Sequence, residues 1–96
     1  MKIKPEEVKR LTGEFKAAVK KIRTLKKTPS NEELLEIYAL YKQATVGDNK
    51  NERPGMMSFR AQRKHDAWKS KEGMNIMIAM KEYVEIVDKV FSKCSE

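Results

Sequence analysis

Apolar residues recur at intervals of three and four along most of the chain and do not alternate with polar ones. This period is typical of helices with one buried face and argues against strands. Four glycines and three prolines divide the pattern into segments. The sequence therefore predicts an all-α protein with four helices, over residues 13–26, 31–46 and about 60–70, and over a last segment that follows Asn75.

The first helix is predicted from a stripe of four apolar residues, Phe15, Val19, Ile22 and Leu25. Thr12 is a candidate N-cap, and Pro29 limits the segment because the residue before a proline disfavours helical geometry. Gly13 lowers helix propensity, so two alternatives remain open for the residues before it. They form either an extra turn opened by Pro5 or a loose arm.

The second helix has a signal at each end. Ser30 followed three residues later by Glu33 is a capping box, and Gly47 supplies a left-handed stop. From Gly47 to Ser58 the chain holds twelve residues of turn chemistry without helical period. Loops of this length are often functional.

The third and fourth helices carry the remaining apolar stripes. Trp68 lies on the stripe of the third helix and is expected to be a core anchor, with His65 packed or half-exposed beside it. Asn75 can cap the fourth helix. The stripe of that helix comprises Ile76, Met80, Tyr83, Val87 and Val90, and Val84 and Phe91 widen it.

A chain of 96 residues fits one domain. Its longest apolar stretch, 76–80, is far too short to span a bilayer, and the charged first ten residues do not resemble a secretory signal, so we expect a cytoplasmic protein. Cys94 is expected to be a frayed thiol near the end, without a disulfide partner. No cluster has the spacing of a metal site or of a nucleophile with its base, so neither a cofactor nor catalysis is expected.

The net charge of +7 comes mainly from two blocks, residues 1–29 and 52–73. Such a charge favours anionic partners, which leaves nucleic acid, an acidic membrane surface and a small phosphorylated ligand open. A basic helical module for nucleic acid or an anionic membrane is therefore an alternative function. The acidic second helix and its clustered tyrosines fit nucleic acid poorly.

Two groups of residues suit a phosphorylated aromatic ligand. Tyr38, Tyr41 and Lys42 stand at i, i+3 and i+4, which brings two phenols and an ammonium onto neighbouring turns. Arg60 and Lys64, with Arg63 between them, place cations on adjacent turns of the third helix, where a phosphate would relieve their repulsion. The alternatives are core tyrosines and a solvated basic face.

Three segments together resemble the acyl-CoA-binding protein family. They are YALYKQATVGD at 38–48, ERPGM at 52–56 and KHDAW at 64–68, in family order and spacing. The resemblance covers about residues 13–93 and leaves 1–12 as an N-terminal extension of the binding domain. It implies an up-down-down-up four-helix bundle that, as a monomer, binds medium- to long-chain fatty acyl-CoA esters one to one, transports and buffers them, and does no chemistry.

The resemblance also implies roles for single residues. Tyr38 and Lys42 would hold the 3′-phosphate and ribose, Lys64 the phosphates, and Tyr83 would close the same pocket. Tyr41, Ala39 and Leu40 would contact the adenine and acyl region, while Arg23 and Arg60 stand where the family usually has lysine. The implied ligand-binding residues are thus Arg23, Tyr38, Ala39, Leu40, Tyr41, Lys42, Arg60, Lys64 and Tyr83.

The sequence departs from the family pattern at three places. His65 replaces a usual aromatic residue, GMNIMIAM at 73–80 replaces a polar helix start, and residues 1–29 are unusually basic. A membrane- or partner-docking role for the basic arm is a hypothesis that requires loss of vesicle binding when residues 1–11 are deleted. Transient contact with acyl-CoA-using enzymes is a further expectation.

Overall fold

The computed structural model of the protein describes residues 4–94. Within this range it has four helices and no strand, which confirms the predicted all-α class. The helices are α1 (Pro5–Ile22), α2 (Asn31–Thr45), α3 (Phe59–Lys69) and α4 (Ile76–Cys94). None of them, over the residues described, is long and apolar enough to cross a membrane.

The predicted bounds of α1, 13–26, were wrong at both ends. The helix begins at Pro5, passes through Gly13 and ends at Ile22. The alternative of a turn opened by Pro5 is therefore confirmed, and that of a loose arm is wrong for residues 5–12. Proline suits this position because it lacks an N–H, and the first N–H groups of a helix have no partner within it. Thr12 is not the N-cap, because its hydroxyl donates to the carbonyl of Val8 at 2.8 Å inside the helix.

Residues 1–3 of the proposed extension lie outside the described part of the chain. The division into an extension and a binding domain at residue 12 stays a prediction.

The caps predicted for α2 and α4 are confirmed. Ser30 and Glu33 bond reciprocally, with side chain to backbone distances of 3.0 and 3.1 Å. Gly47 follows α2 with a φ of +96°, a left-handed conformation that a side chain disfavours. Asn75 accepts the Met77 amide at 2.7 Å, which satisfies a free donor in the first turn of α4.

Side-chain pairs show that α1 and α4 run in the same direction. The ring of Phe15 packs edge-on against Tyr83, with centroids 4.9 Å apart. Further along both helices, Lys21 pairs with Asp88 at 3.2 Å. The later residue of α1 thus contacts the later residue of α4, as expected for two parallel helices.

The middle of the molecule is an antiparallel pair, α2 and α4. The ammonium of Lys93, at the end of α4, lies 2.7 Å from the carboxylate of Glu33, at the start of α2. Tyr41, in the second half of α2, meets Tyr83, in the first half of α4, with ring centroids 6.2 Å apart.

Helix α3 runs parallel to α2, since Lys64 contacts Tyr38 and Trp68 contacts Lys42. The directions of the four helices confirm the predicted up-down-down-up arrangement. Backbone packing joins α1 to α4, α4 to α2 and α2 to α3, and no other helix pair within residues 4–94. The result is a flat layer of 45 × 37 × 15 Å with α1 and α3 at its edges.

The core lies mainly between α1, α2 and α4. Its buried members are Phe15, Ala18, Ile37, Leu40, Ala44, Ala79, Tyr83, Val87, Val90 and Cys94. The expectation of a frayed Cys94 was wrong, because α4 continues to this residue and buries its side chain. Trp68 is buried and donates its indole N–H to the Gly47 carbonyl at 2.8 Å, so its role as an anchor is confirmed.

The long loop between α2 and α3 is held against α3 by polar contacts. The guanidinium of Arg53 donates twice to Asp66, each bond 2.9 Å long. Asn49 is buried and donates to the carbonyl of His65, whose own ring lies 3.0 Å from the carbonyl of Asn51. His65 is therefore a packed histidine, as expected.

Candidate ligand-binding site

A cavity of about 520 Å³ opens between the first half of α2 and the first half of α3. Because the two helices run parallel, their N-terminal turns face each other across it. Each helix contributes four residues to the lining, namely Asn31, Leu34, Leu35 and Tyr38, and Phe59, Arg60, Arg63 and Lys64. The volume lies in the range of pockets that hold small organic ligands.

The lining of the cavity is divided by chemistry. Leu34, Leu35 and Phe59 are apolar, while Arg60 and Lys64 bring positive charge to the same space. Among residues 4–94 the ion pairs include neither of these cations. Unneutralised cations beside apolar walls suit an amphiphile that carries both phosphate and hydrocarbon.

Two ammonium groups along the α2–α3 boundary lie on aromatic rings. The Lys64 nitrogen is 4.5 Å from the ring centroid of Tyr38, and the Lys42 nitrogen is 4.8 Å from that of Trp68. Such contacts fix a flexible lysine without neutralising its charge. Tyr38, Lys64 and Arg60 thus share the cavity, and Lys42 lies one turn of α2 further on.

Tyr41 takes a different direction from Tyr38 and Lys42. Its ring stacks near Phe15, with centroids 6.1 Å apart, and tilts against Tyr83. The three residues predicted to emerge on one face of α2 are therefore divided between its contacts with α3 and its contacts with α1 and α4.

Tyr83 lies at the centre of this second group and is only 2% exposed. Burial raises the pKa of its phenol, and Tyr41 adds to that rise. The positive charge of Arg23 acts in the opposite direction on the same pKa. Tyr41 and Tyr83 therefore form a group of their own, apart from the lining of the cavity, and the charge of Arg23 acts on it.

Ala39 and Leu40 lie in the interior, and neither exposes more than 1% of its surface. They pack α2 against its neighbours, so a ligand reaches them only where it displaces the side chains that cover them. Their predicted contact with adenine or acyl chain stays a prediction.

Sequence reasoning missed the apolar wall of the cavity. Leu34, Leu35 and Phe59 were not part of any predicted site. Their position in the sequence could have indicated them, because Leu34 and Phe59 each lie in the first turns of a helix, shortly after its capping serine. Only the parallel packing of α2 and α3 brings these positions together. No group of metal-ligating side chains was found among the residues described.

The sequence matches a known protein family over most of its length. The family model described as acyl CoA binding protein matches residues 12–87. The chain belongs to the acyl-CoA-binding protein family. The family match includes all the residues that line the cavity and all nine predicted ligand residues.

Relatives match over nearly their whole length. The chain is 43% identical over 83 residues to acyl-CoA-binding protein homolog 1 of Caenorhabditis elegans, which covers 86% of this chain and 96% of the relative. It is 44% identical over 81 residues to the acyl-CoA-binding protein of Saccharomyces cerevisiae, covering 84% and 93%.

Solved structures of the family share the fold. The crystal structure of Oryza sativa acyl-CoA-binding protein 2 superposes with a TM-score of 0.86 at 40% identity, covering 90% of this chain and 94% of that one. The solution structure of the yeast acyl-coenzyme A-binding protein has a TM-score of 0.70 at 44% identity, with 85% and 95% covered.

Proposed function

We propose that this protein binds medium- to long-chain fatty acyl-CoA esters, and that it transports and buffers them in the cytoplasm without changing them chemically. The observation that carries the proposal is the α2–α3 cavity, where apolar walls and unneutralised cations line one space. The relatives named acyl-CoA-binding proteins support it.

The cations and phenols are proposed to select the CoA head. Lys64 and Arg60 reach phosphates from α3, and Tyr38 and Lys42 take the ribose and its 3′-phosphate from α2. A hydrogen bond to a charged group is worth about 1.5–3 kcal/mol. Arg60 offers a planar fork where lysine would offer one point of charge, so it can hold a phosphate through two bonds.

The second group is proposed to close the site beside α1 and α4. Arg23 brings a further cation, and Tyr41 offers a partly exposed ring for the adenine or the acyl chain. Tyr83 is proposed to reach the ligand through its hydroxyl. Ala39 and Leu40 join the contact only if the ligand displaces neighbouring side chains.

The hydrocarbon is proposed to set the affinity. Leu34, Leu35 and Phe59 offer the apolar walls of the cavity to the acyl chain. Burial of one methylene group is worth about 0.8 kcal/mol, so two further carbons add at most about 1.6 kcal/mol. Affinity therefore rises with chain length until the apolar surface is filled.

Turnover of the bound ester is not part of the proposal. Cys94 is buried in the core, and both ring nitrogens of His65 face polar groups of the protein, Asn51 and Asp66. Neither residue offers a free nucleophile or base at the cavity. We expect one ester per monomer, released intact.

Titration calorimetry with hexadecanoyl-CoA, dodecanoyl-CoA, free CoA and hexadecanoate tests this function. We expect one-to-one binding that is tightest for the longest ester and weak for each half of the molecule alone. In the two ester titrations, released CoA thiol reports hydrolysis, and we expect none. Equal affinity for CoA and hexadecanoyl-CoA, or tighter binding to an oligonucleotide, would contradict the proposal.

A further inference from the structure

The loop that leads into α3 presents apolar side chains to solvent. Met57 is fully exposed, Met56 is 91% exposed and Phe59 is 71% exposed. Isolated exposed apolar residues are common, but three within four positions form a patch. We call Met56, Met57 and Phe59 the apolar tip.

The apolar tip is held in place by its surroundings. The Ser58 amide donates to the Gly55 carbonyl at 3.2 Å, which closes a turn around the two methionines. The carbonyl of Pro54 accepts from the buried Gln62 side chain at 3.0 Å. The methionines therefore project from an anchored turn, and their exposure does not follow from a loose chain end.

Positively charged residues lie next to the apolar tip in the sequence, and one of them contacts it. Residues 50–64 contain five lysines and arginines against one glutamate. The guanidinium of Arg63 lies 5.9 Å from the ring centroid of Phe59, and Arg60 follows directly after it. Arg60 and Arg63 are both exposed, and neither pairs with a carboxylate within the described residues.

We propose that the apolar tip docks the protein on an anionic lipid bilayer. Met56 and Met57 enter the boundary between headgroups and acyl chains, and Arg60 and Arg63 meet the lipid phosphates. The exposed thioether and aromatic groups suit the apolar side of this boundary. The cations beside them suit the anionic headgroups. Each cation near an anionic surface adds roughly a fivefold gain in partitioning.

The docked orientation places the cavity next to the bilayer, because Phe59 belongs both to the apolar tip and to the cavity wall. Docking differs from ligand binding and does not require it. It also differs from the hypothesis of a docking N-terminal arm, since the apolar tip lies between α2 and α3.

The test is sedimentation of the ligand-free protein with vesicles of phosphatidylcholine alone or mixed with an equal part of phosphatidylserine. We expect binding to the mixed vesicles that weakens as salt rises, and little binding to phosphatidylcholine. The double variant M56S/M57S should lose at least about tenfold in partitioning. It should keep the wild-type affinity for hexadecanoyl-CoA in solution, because neither methionine lines the cavity.

The matched control is V46S/I78S, which removes two apolar side chains that are 59% and 51% exposed elsewhere on the molecule. It should bind the mixed vesicles as the wild type does. Equal losses in both double variants would overturn the proposal. So would loss on deleting residues 1–11 with M56S/M57S unaffected. Absence of binding to the mixed vesicles would also overturn it.

Discussion

The two lysines that lie on aromatic rings differ in their neighbours. Lys64 covers Tyr38 inside the cavity, whereas Lys42 covers Trp68, which is buried against the loop. A bound phosphate can therefore meet Lys64 with only a small movement of the side chain. This makes Lys64 the sharpest single test of the proposed head-group site.

Replacing Lys64 by glutamine should weaken hexadecanoyl-CoA binding by about tenfold to a hundredfold, because one charged hydrogen bond to phosphate is lost. Titration calorimetry measures the change. Lys20→Gln, on an exposed position of α1, removes the same charge away from the cavity and should change the affinity little. If both variants bind alike, general charge and not a local contact attracts the ligand.

Gly47 and Gly13 are expected to respond in opposite ways to replacement by alanine. At both Gly47 and Gly13 an added methyl group would meet no atom within 4 Å. Gly47 has a φ of +96°, where an L-residue is strained by about 1–2 kcal/mol. Gly13 lies inside α1, where alanine is better than glycine by about 1 kcal/mol.

Gly47→Ala should therefore lower the free energy of unfolding and Gly13→Ala should raise it. Urea denaturation measures both on the same scale. A stabilised Gly47→Ala variant would show that the turn after α2 relaxes to another conformation. A destabilised Gly13→Ala variant would show that α1 does not continue through this position in solution.

At the scale of elements, the ends of α2 and α4 are tied by one ion pair. The hydrogen bond from Lys93 is the main cause that lowers the pKa of Glu33 from 4.5 to about 2, and the amide of Ser30 adds to it. A carboxyl whose pKa is lower in the folded state stabilises the fold above its unfolded pKa. This stabilisation is lost as the pH falls from about 4.5 towards 2.

Thermal unfolding of the wild type and of Glu33→Gln across acidic pH tests this tie. The wild type should be more stable at neutral pH, and the difference should shrink as the pH falls through the range from 4.5 to about 2. Glu32→Gln, the exposed neighbour in the same turn, serves as the control. A difference that does not change with pH would mean that Glu33 acts through packing and not through its charge.

Local signals predicted the helices well wherever a cap was present. Ser30, Gly47 and Asn75 marked real boundaries, because caps satisfy backbone groups that must find partners near in sequence. The start of α1 was left open between Pro5 and Gly13, because Gly13 lowers helix propensity. One interior glycine costs only about 1 kcal/mol, and α1 continues through it over 18 residues.

The lining of the cavity was predicted only in part. Of the predicted ligand residues, Tyr38, Arg60 and Lys64 line it, and the spacing of charged and aromatic residues along each helix can be read locally. The apolar wall of Leu34, Leu35 and Phe59 depends on how two helices pack side by side, and no single helix encodes that register. The burial of Cys94 was missed for the same reason, because its contacts are made with other elements.

At the scale of the whole molecule, ligand binding should stabilise the fold. The proposed ligand contacts both α2 and α3, so it binds the folded state and not the unfolded chain. At a free concentration of about one hundred times Kd, mass action adds about 2.7 kcal/mol to the free energy of unfolding.

Differential scanning calorimetry with excess hexadecanoyl-CoA should therefore show a higher Tm, and free CoA at the same concentration should raise it less. Lysozyme, heated with the same ester, controls for detergent effects of the amphiphile. An unchanged Tm of this protein in excess ester would contradict a site shared between helices.

The edge position of α3 has a consequence for entry and release. Three helices hold one another through the common core, but α3 packs its backbone on α2 alone. One wall of the cavity therefore stands on a helix that is held by α2 and by the loop before it, and not by the common core. We expect α3 to open locally at a lower free energy than the whole protein unfolds, which gives the ester a route into and out of the cavity.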